Sequence, residues 1–168
     1  VIVYRDNADK AGQLPPFSAL DSQDPEKLWE FLEEYEAKTG GDIMAIPHNG
    51  NISNGMMFQL NTVSGEPVSE AWAQTRIKWE PLYEVTQVKG DGEAHPFLSP
   101  DDEFADYENW DEDNIGRTVT KKNEMLQYEY GRSALKLGLK VEQELGTNPY
   151  EFGLLGSTDS HTTLSTAD

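Results

Sequence analysis

The stretch "PEKLWEFLEEYEAKTGGDIMAIPHNGN", residues 25–51, constrains this chain most, because a helix, a tight turn and a buried strand follow one another with no slack between them. Asp24 reads as a helix N-cap with Pro25 at the first helical position. Leu28, Leu32 and Tyr35 recur at i, i+4 and i+7, and Trp29 and Phe31 widen the apolar face. Gly40-Gly41 ends the helix, and the strand from Ile43 to Ile46 begins at once. That strand then runs straight into a histidine and small polar residues, an abrupt change for a buried element.

The unit recurs along the chain. "VIVYR" reads as a strand, and the following residues to Gln23 as a loop. "SEAWAQTRIKWEP" reads as a helix terminated by Pro81, and "LYEVTQVKG" as a strand. A long helix is predicted from about Lys122 to Leu145, with Leu126, Tyr130, Ala134, Leu137, Val141 and Leu145 on its buried face. "FGLLG" is the last strand. Alternating strands and helices imply a parallel α/β sheet. The expectation is one domain over residues 1–168, with strands near 1–5, 43–47, 82–88 and 153–157 in one parallel sheet and the helices outside. Such an open sheet tends to recruit a partner chain, so a homo-oligomer is expected. Residues 90–117 form an acidic insertion, too long for an ordinary connection. Its aromatics (Phe97, Phe104, Tyr107, Trp110) and the His95 imidazole argue against disorder. It reads as a lid that brings His95 toward the strand ends.

Charge narrows the partners. Lys and Arg number 13 against 31 Asp and Glu, a formal net charge of −18. That field repels phosphate backbones and anionic lipid, which argues against nucleic acid and membrane surfaces as partners. With no cysteine, a metal here would need His, Asp and Glu ligands. No apolar run approaches the ~20 residues of a membrane span, and no signal peptide is visible. The chain opens inside a strand-like run without an initiator Met, which reads as a segment of something longer; localisation is left open.

The polar strand ends now acquire a meaning. In parallel α/β folds, sites lie at the carboxyl ends of the strands. His48 follows one strand, Asp159 and His161 follow another, and Glu84 and Gln87 lie on the strand between. Asp-x-His at i and i+2 sends both side chains to one side. Imidazole and carboxylate suit zinc, iron or manganese. Taken singly, each has a plainer reading: a hydrogen-bonded loop histidine, or a capping Asp in "TDSH". Ser157 and Ser160 beside His161 raise a serine nucleophile, but no G-x-S-x-G elbow supports it. "GNISNG" as a phosphate cradle is a weak signal. The acidic run 101–113 reads as a solvated face and lacks the D-x-D-x-D-G calcium loop.

At these residues the chain resembles a known family. "DIMAIPHNGN", "EPLYEVTQVKGDGEAHPFLSPDDEFADYENWD" and "YEYGRSALKLGLKVEQELGTNPYEFGLLGSTDSHT" look like a large bacterial family of uncharacterised proteins within the polymerase-and-histidinol-phosphatase (PHP) superfamily of metal-dependent phosphoesterases. The resemblance implies a distorted, TIM-like βα barrel with a metal cluster at the strand ends. This chain would be its C-terminal portion, with about four parallel strands and outer helices. It implies that His48 matches the ligand histidine of the Ile-Pro-His motif, and that Asp159 and His161 match the Asp-x-His ligand pair. Glu84 matches a strand acid that is not usually a ligand, and His95 has no counterpart; both are candidates for catalytic or substrate roles. The implied cofactor is a divalent metal (Zn, Mn or Fe), and the implied substrate a small phosphorylated molecule. PHP-like proteins also carry an N-terminal His-x-His pair and further His and Glu ligands, which these residues do not supply. The rival expectation is a non-catalytic α/β fragment or binding module without a metal cluster.

Overall fold

The computed structural model describes residues 1–163. In chain order run β1 (Ile2–Tyr4), α1 (Ala8–Ala11), α2 (Pro25–Thr39), β2 (Ile43–Ala45), a 3-10 turn (Gly50–Ile52), α3 (Glu70–Trp79), β3 (Leu82–Gln87), β4 (Gly90–Asp91), α4 (Asn123–Leu126), α5 (Gly131–Leu145) and β5 (Gly153–Gly156). Helix α2 starts where its cap dictates. The Asp24 carboxylate accepts the Glu26 N–H at 3.0 Å, and Gly40 closes the helix in the left-handed conformation with its N–H on the Glu36 carbonyl. Its buried residues are Trp29, Leu32 and Tyr35. In α3 the Ser69 hydroxyl caps the Trp72 N–H at 3.2 Å.

The strands do not form the expected partial barrel. Among the described residues there are two small sheets, β1-β2 and β4-β3-β5, with no closed barrel and no set of four parallel strands. β1 runs antiparallel to β2, pairing Ile2 with Ala45 and Tyr4 with Ile43. Asp6 explains that direction. Its carboxylate accepts the Tyr35 hydroxyl at 3.0 Å and the Asp42 N–H at 2.7 Å, which pins the end of β1 to the start of β2. β3 and β5 are the parallel pair, Leu82 beside Gly153 and Glu84 beside Leu155. "LYEVTQVKG" is not one strand either. It turns at Val88-Lys89 and returns antiparallel as β4, with Gln87 opposite Gly90. A backbone bond, Glu84 N–H to the Pro47 carbonyl at 3.1 Å, joins the end of the first sheet to the second.

Each sheet has its own apolar cluster. Trp29, Leu32, Tyr35, Ile43, Ala45, Val68, Trp72 and Trp79 pack against the first. Phe58, Tyr83, Ala134, Tyr150 and Phe152 pack against the second. Arg76 bridges them, its guanidinium 5.4 Å from the Trp72 ring and 4.8 Å from the Tyr150 ring.

The long predicted helix is broken between α4 and α5. At the break the Glu129 carboxylate, fully buried, accepts the Gly55 N–H at 2.8 Å and Lys121 Nζ at 2.6 Å. The Gly131 N–H reaches the Gly92 carbonyl at 2.7 Å. A continuous helix would forfeit all three bonds. The insertion is turn-rich, and backbone bonds rather than its aromatics hold it: Asp91 N–H to the Glu108 carbonyl at 2.9 Å and Ile115 N–H to the Ile52 carbonyl at 3.0 Å. Phe97, Phe104 and Tyr107 are exposed.

Candidate metal site at the strand ends

Three strand ends meet at the Gln87 side chain. Beyond β2, Pro47 and His48 lead into Asn49, whose φ is 59°. Gly50 must follow, because a Cβ there would lie 2.5 Å from the Glu129 carbonyl oxygen. Gln87, the last residue of β3, directs its Nε2 to Asn49 Oδ1 at 2.5 Å and to Asp159 Oδ2 at 3.1 Å. One amide thus ties the loop carrying His48 to the loop carrying Asp159 and His161. Beyond β5, the Val88 N–H donates to the Thr158 carbonyl at 3.2 Å, and Asp159 Oδ1 lies 2.8 Å from His161 Nε2.

Asn49, Asp159 and His161 all have positive φ, at 59°, 49° and 56°. Asn, Asp and His tolerate this region better than other side chains, yet each residue held there costs on the order of 1 kcal/mol. Asn54, Glu108, Arg117 and Thr163 share this conformation, so positive φ alone does not single out the rim.

The electrostatics are anionic. Lys89 in the β3–β4 turn forms a close ion pair with Asp159 Oδ2. That ammonium holds the Asp159 carboxyl below the usual carboxylate range, and His161 adds to it. Glu84 is 8% exposed, and its partner is Gln87 Nε2 at 3.4 Å, a long contact for a buried carboxylate. His48 is half-buried. Burial holds its imidazole below the ordinary histidine range; Glu84 and Asp159 pull the other way. His48 lies on the wall of a cavity of about 850 Å³, shared with Ile46, Ile52, Met56 and Ile115 of the insertion.

The profile of a family of proteins of unknown function, DUF3604, matches residues 1–168. This chain belongs to the DUF3604 family. Curated proteins and solved structures give no match to it. The region it shares with DUF3604 includes every residue of the rim, from His48 to His161.

The donors of this DUF3604 rim fit a divalent cation in chemistry: two imidazoles, one of them kept neutral by burial, and two carboxylates. Their arrangement is looser. Among the described residues no group of three His, Asp or Glu side chains gathers around one point. Asp159 and His161 form a pair, His48 stands at the neighbouring strand end, and Lys89 supplies the positive charge at Asp159.

His95 is engaged elsewhere. Its Nδ1 accepts the Phe97 N–H at 3.1 Å, which leaves the neutral ring's proton on Nε2, 2.8 Å from Asp111 Oδ2. Its ring packs 5.2 Å from that of Tyr130. The insertion reaches the rim instead through Trp110, whose carbonyl accepts Asn51 Nδ2 at 3.2 Å, and through Ile115. Ser160 pairs with Thr162 at 3.1 Å, while His161 is directed to Asp159. In the acidic run, Asp102 pairs with Arg132, whose guanidinium holds that carboxyl below its usual range. Sequence reading had Gln87 on the right strand but gave no role to Gln87, Lys89 or Asn49. The local signal was "QVKG", a polar residue at the strand end and a lysine in the turn that follows.

Proposed function

We propose that this rim belongs to a metal-dependent hydrolase acting on small phosphorylated substrates, with His48, Asp159 and His161 as metal ligands. The observation that carries the reading is the Gln87 amide, which joins the His48 loop to the Asp159–His161 loop. The resemblance of "IPHNGN" and "GSTDSHT" to the PHP superfamily supports the phosphoesterase class. A divalent cation held there polarises a phosphoryl oxygen and lowers the pKa of water. The chain's own residues have separate tasks. Gln87 fixes the spacing of the two loops, burial keeps a lone pair on His48 free at neutral pH, and Glu84 adds negative charge behind the rim. The cavity beside His48 has room for a small organic substrate.

The looser arrangement of the donors favours a second reading, a binding module that kept the rim without metal chemistry. Two measurements separate them, on the longest natural form that carries these residues: calorimetric titration with Mn²⁺ or Zn²⁺, and hydrolysis of p-nitrophenyl phosphate with the same ions. The metallohydrolase reading expects binding and turnover, with His48→Ala or Asp159→Ala lowering turnover at least about 100-fold while circular dichroism stays unchanged. Turnover that survives both substitutions rejects the ligand roles. Absence of metal binding leaves the binding module.

A further inference from the structure

The cavity of about 850 Å³ beside His48 has a mostly apolar wall that includes Phe17, Leu28, Ile46, Ile52 and Met57. One corner differs. Trp72, Arg76 and Glu80 recur at every fourth residue along α3 and its C-cap, so one face of that helix brings all three to the cavity. Trp72 is 8% exposed and Glu80 6%. Trp29 ties them together: its ring meets the Trp72 ring edge to face at 5.2 Å, and its Nε1 donates to Glu80 Oε1 at 2.9 Å. Each of the two keeps one polar atom without a hydrogen bond among the described residues: Trp72 Nε1, a donor, and Glu80 Oε2, an acceptor. Arg76 does not serve them. Its Nε lies 3.1 Å from Glu80 Oε2, an ionic contact out of line for a hydrogen bond, and its Nη2 goes to the Met57 carbonyl. A buried donor and a buried acceptor left unpaired in one corner cost stability, and that cost is recovered when a partner serves both.

The chemistry of that partner follows from the two atoms. A hydroxyl accepts from an indole N–H and donates to a carboxylate at once. A carboxylate only accepts, and it meets Glu80 as a like charge; an ammonium only donates, and it leaves the indole unserved. The rest of the wall suits hydrocarbon, and the unbranched Met57 side chain on it shifts readily to admit a ligand. We propose that this cavity binds an uncharged apolar alcohol, with its hydroxyl between Trp72 Nε1 and Glu80 Oε2 and its hydrocarbon along the apolar wall. The site goes beyond the hydrolase reading and does not need it, because neither metal nor phosphate takes part. The plain alternative is that water serves both atoms and the wall takes any apolar molecule alike.

Three probes of like length separate the two, on the longest natural form that carries these residues: 1-octanol, its isomer 1-methoxyheptane, and octanoate. The ether accepts but has no proton to give Glu80, and octanoate brings a negative charge. Binding is followed by titration calorimetry and by the Trp72 indole N–H resonance, assigned with Trp72→Phe. The expected result is 1-octanol binding about tenfold or more tighter than either other probe, with the Trp72 resonance moving downfield as the hydrogen bond forms. Trp72→Phe keeps the apolar ring and removes the donor, so it should weaken 1-octanol about threefold to tenfold while circular dichroism stays unchanged. The parent chain decides by itself if that variant does not fold. Equal affinity for the alcohol and the ether overturns the proposal and leaves an unselective apolar cavity. Tighter binding of octanoate overturns it in favour of Arg76 as the anchor. No binding of any probe up to its solubility, with the Trp72 resonance unmoved, overturns it outright. None of these outcomes bears on the metal reading of the rim.

Discussion

Gln87 has one amide group and spends both ends of it on the rim: Nε2 reaches Asn49 and Asp159, and Oε1 accepts the Lys89 N–H. A glutamine in a strand gives no hint in sequence that it will join two loops, because its partners lie 38 and 72 residues away. The placement of His48 and the Asp-x-His pair just past strands was legible for a different reason. Each stands just past an apolar run, and a polar residue there is placed by the strand before it. What sequence could not convey is how His48 is solvated. Burial lowers its pKa, so the folded chain prefers the neutral ring. The sign follows: as pH falls below about 6.5, the unfolded chain takes up a proton that the folded chain resists. Stability present above that value is lost as pH drops through the lower folded pKa. Urea midpoints measured under chelator between about pH 7.5 and pH 5 should therefore fall, and His48→Gln should remove part of that slope. His95 and His161 remain in both proteins, so the difference isolates His48. Equal slopes would show that His48 is solvated like a surface histidine.

Elements whose ends are set by local chemistry were readable, and those set by distant contacts were not. Asp24, Pro25 and Gly40 define α2 within its own sequence, and Pro81 follows directly on the end of α3. The break between α4 and α5 depends on Glu129 finding Gly55 and Lys121, which helical periodicity cannot see. The direction of β1 likewise depends on Asp6 finding Tyr35 and Asp42. α3 carries the most consequential of these hidden contacts. Arg76 Nε lies 3.1 Å from Glu80 Oε2 one turn on, both side chains almost fully buried, and its Nη2 donates to the Met57 carbonyl at 2.8 Å. Glu80 in turn accepts Trp29 Nε1 at 2.9 Å, so α2, α3 and both apolar clusters share one ion pair. Arg76→Met should leave Glu80 buried with only the indole N–H and destabilise the fold by about 3–5 kcal/mol. Adding Glu80→Gln should recover part of the loss, because the stranded charge goes. Urea denaturation of the two variants decides it; a single-variant loss under about 1 kcal/mol would mean that water already reaches the pair.

At the scale of the molecule, the alternation of strand and helix was legible and the sheet was not. A strand's composition reports burial, whereas its partner and direction are set by where the chain returns; here it returns as two sheets. One consequence is an unusual edge. Among the described residues, β5 pairs with β3 on one side and borders the sheet on the other. Its sequence, Gly-Leu-Leu-Gly, carries no charge or proline, and Leu154 is 48% exposed. Edges of this kind favour pairing with a second chain. Against that stands the net charge of −18, which makes copies repel. The balance is set by screening, whose length is about 10 Å at 0.1 M salt and about 3 Å at 1 M. Low salt should therefore keep the chain monomeric, and raising salt should bring on self-association, read by sedimentation velocity. Leu154→Lys separates the two forces, because it removes one unit of net negative charge while placing a charge on the edge. If repulsion alone governed association, that variant would associate more readily than the parent. Pairing through β5 requires the opposite, a variant that stays monomeric at salt concentrations where the parent assembles. A parent chain that remains monomeric at 1 M salt and high protein concentration would show that the β5 edge is not adhesive.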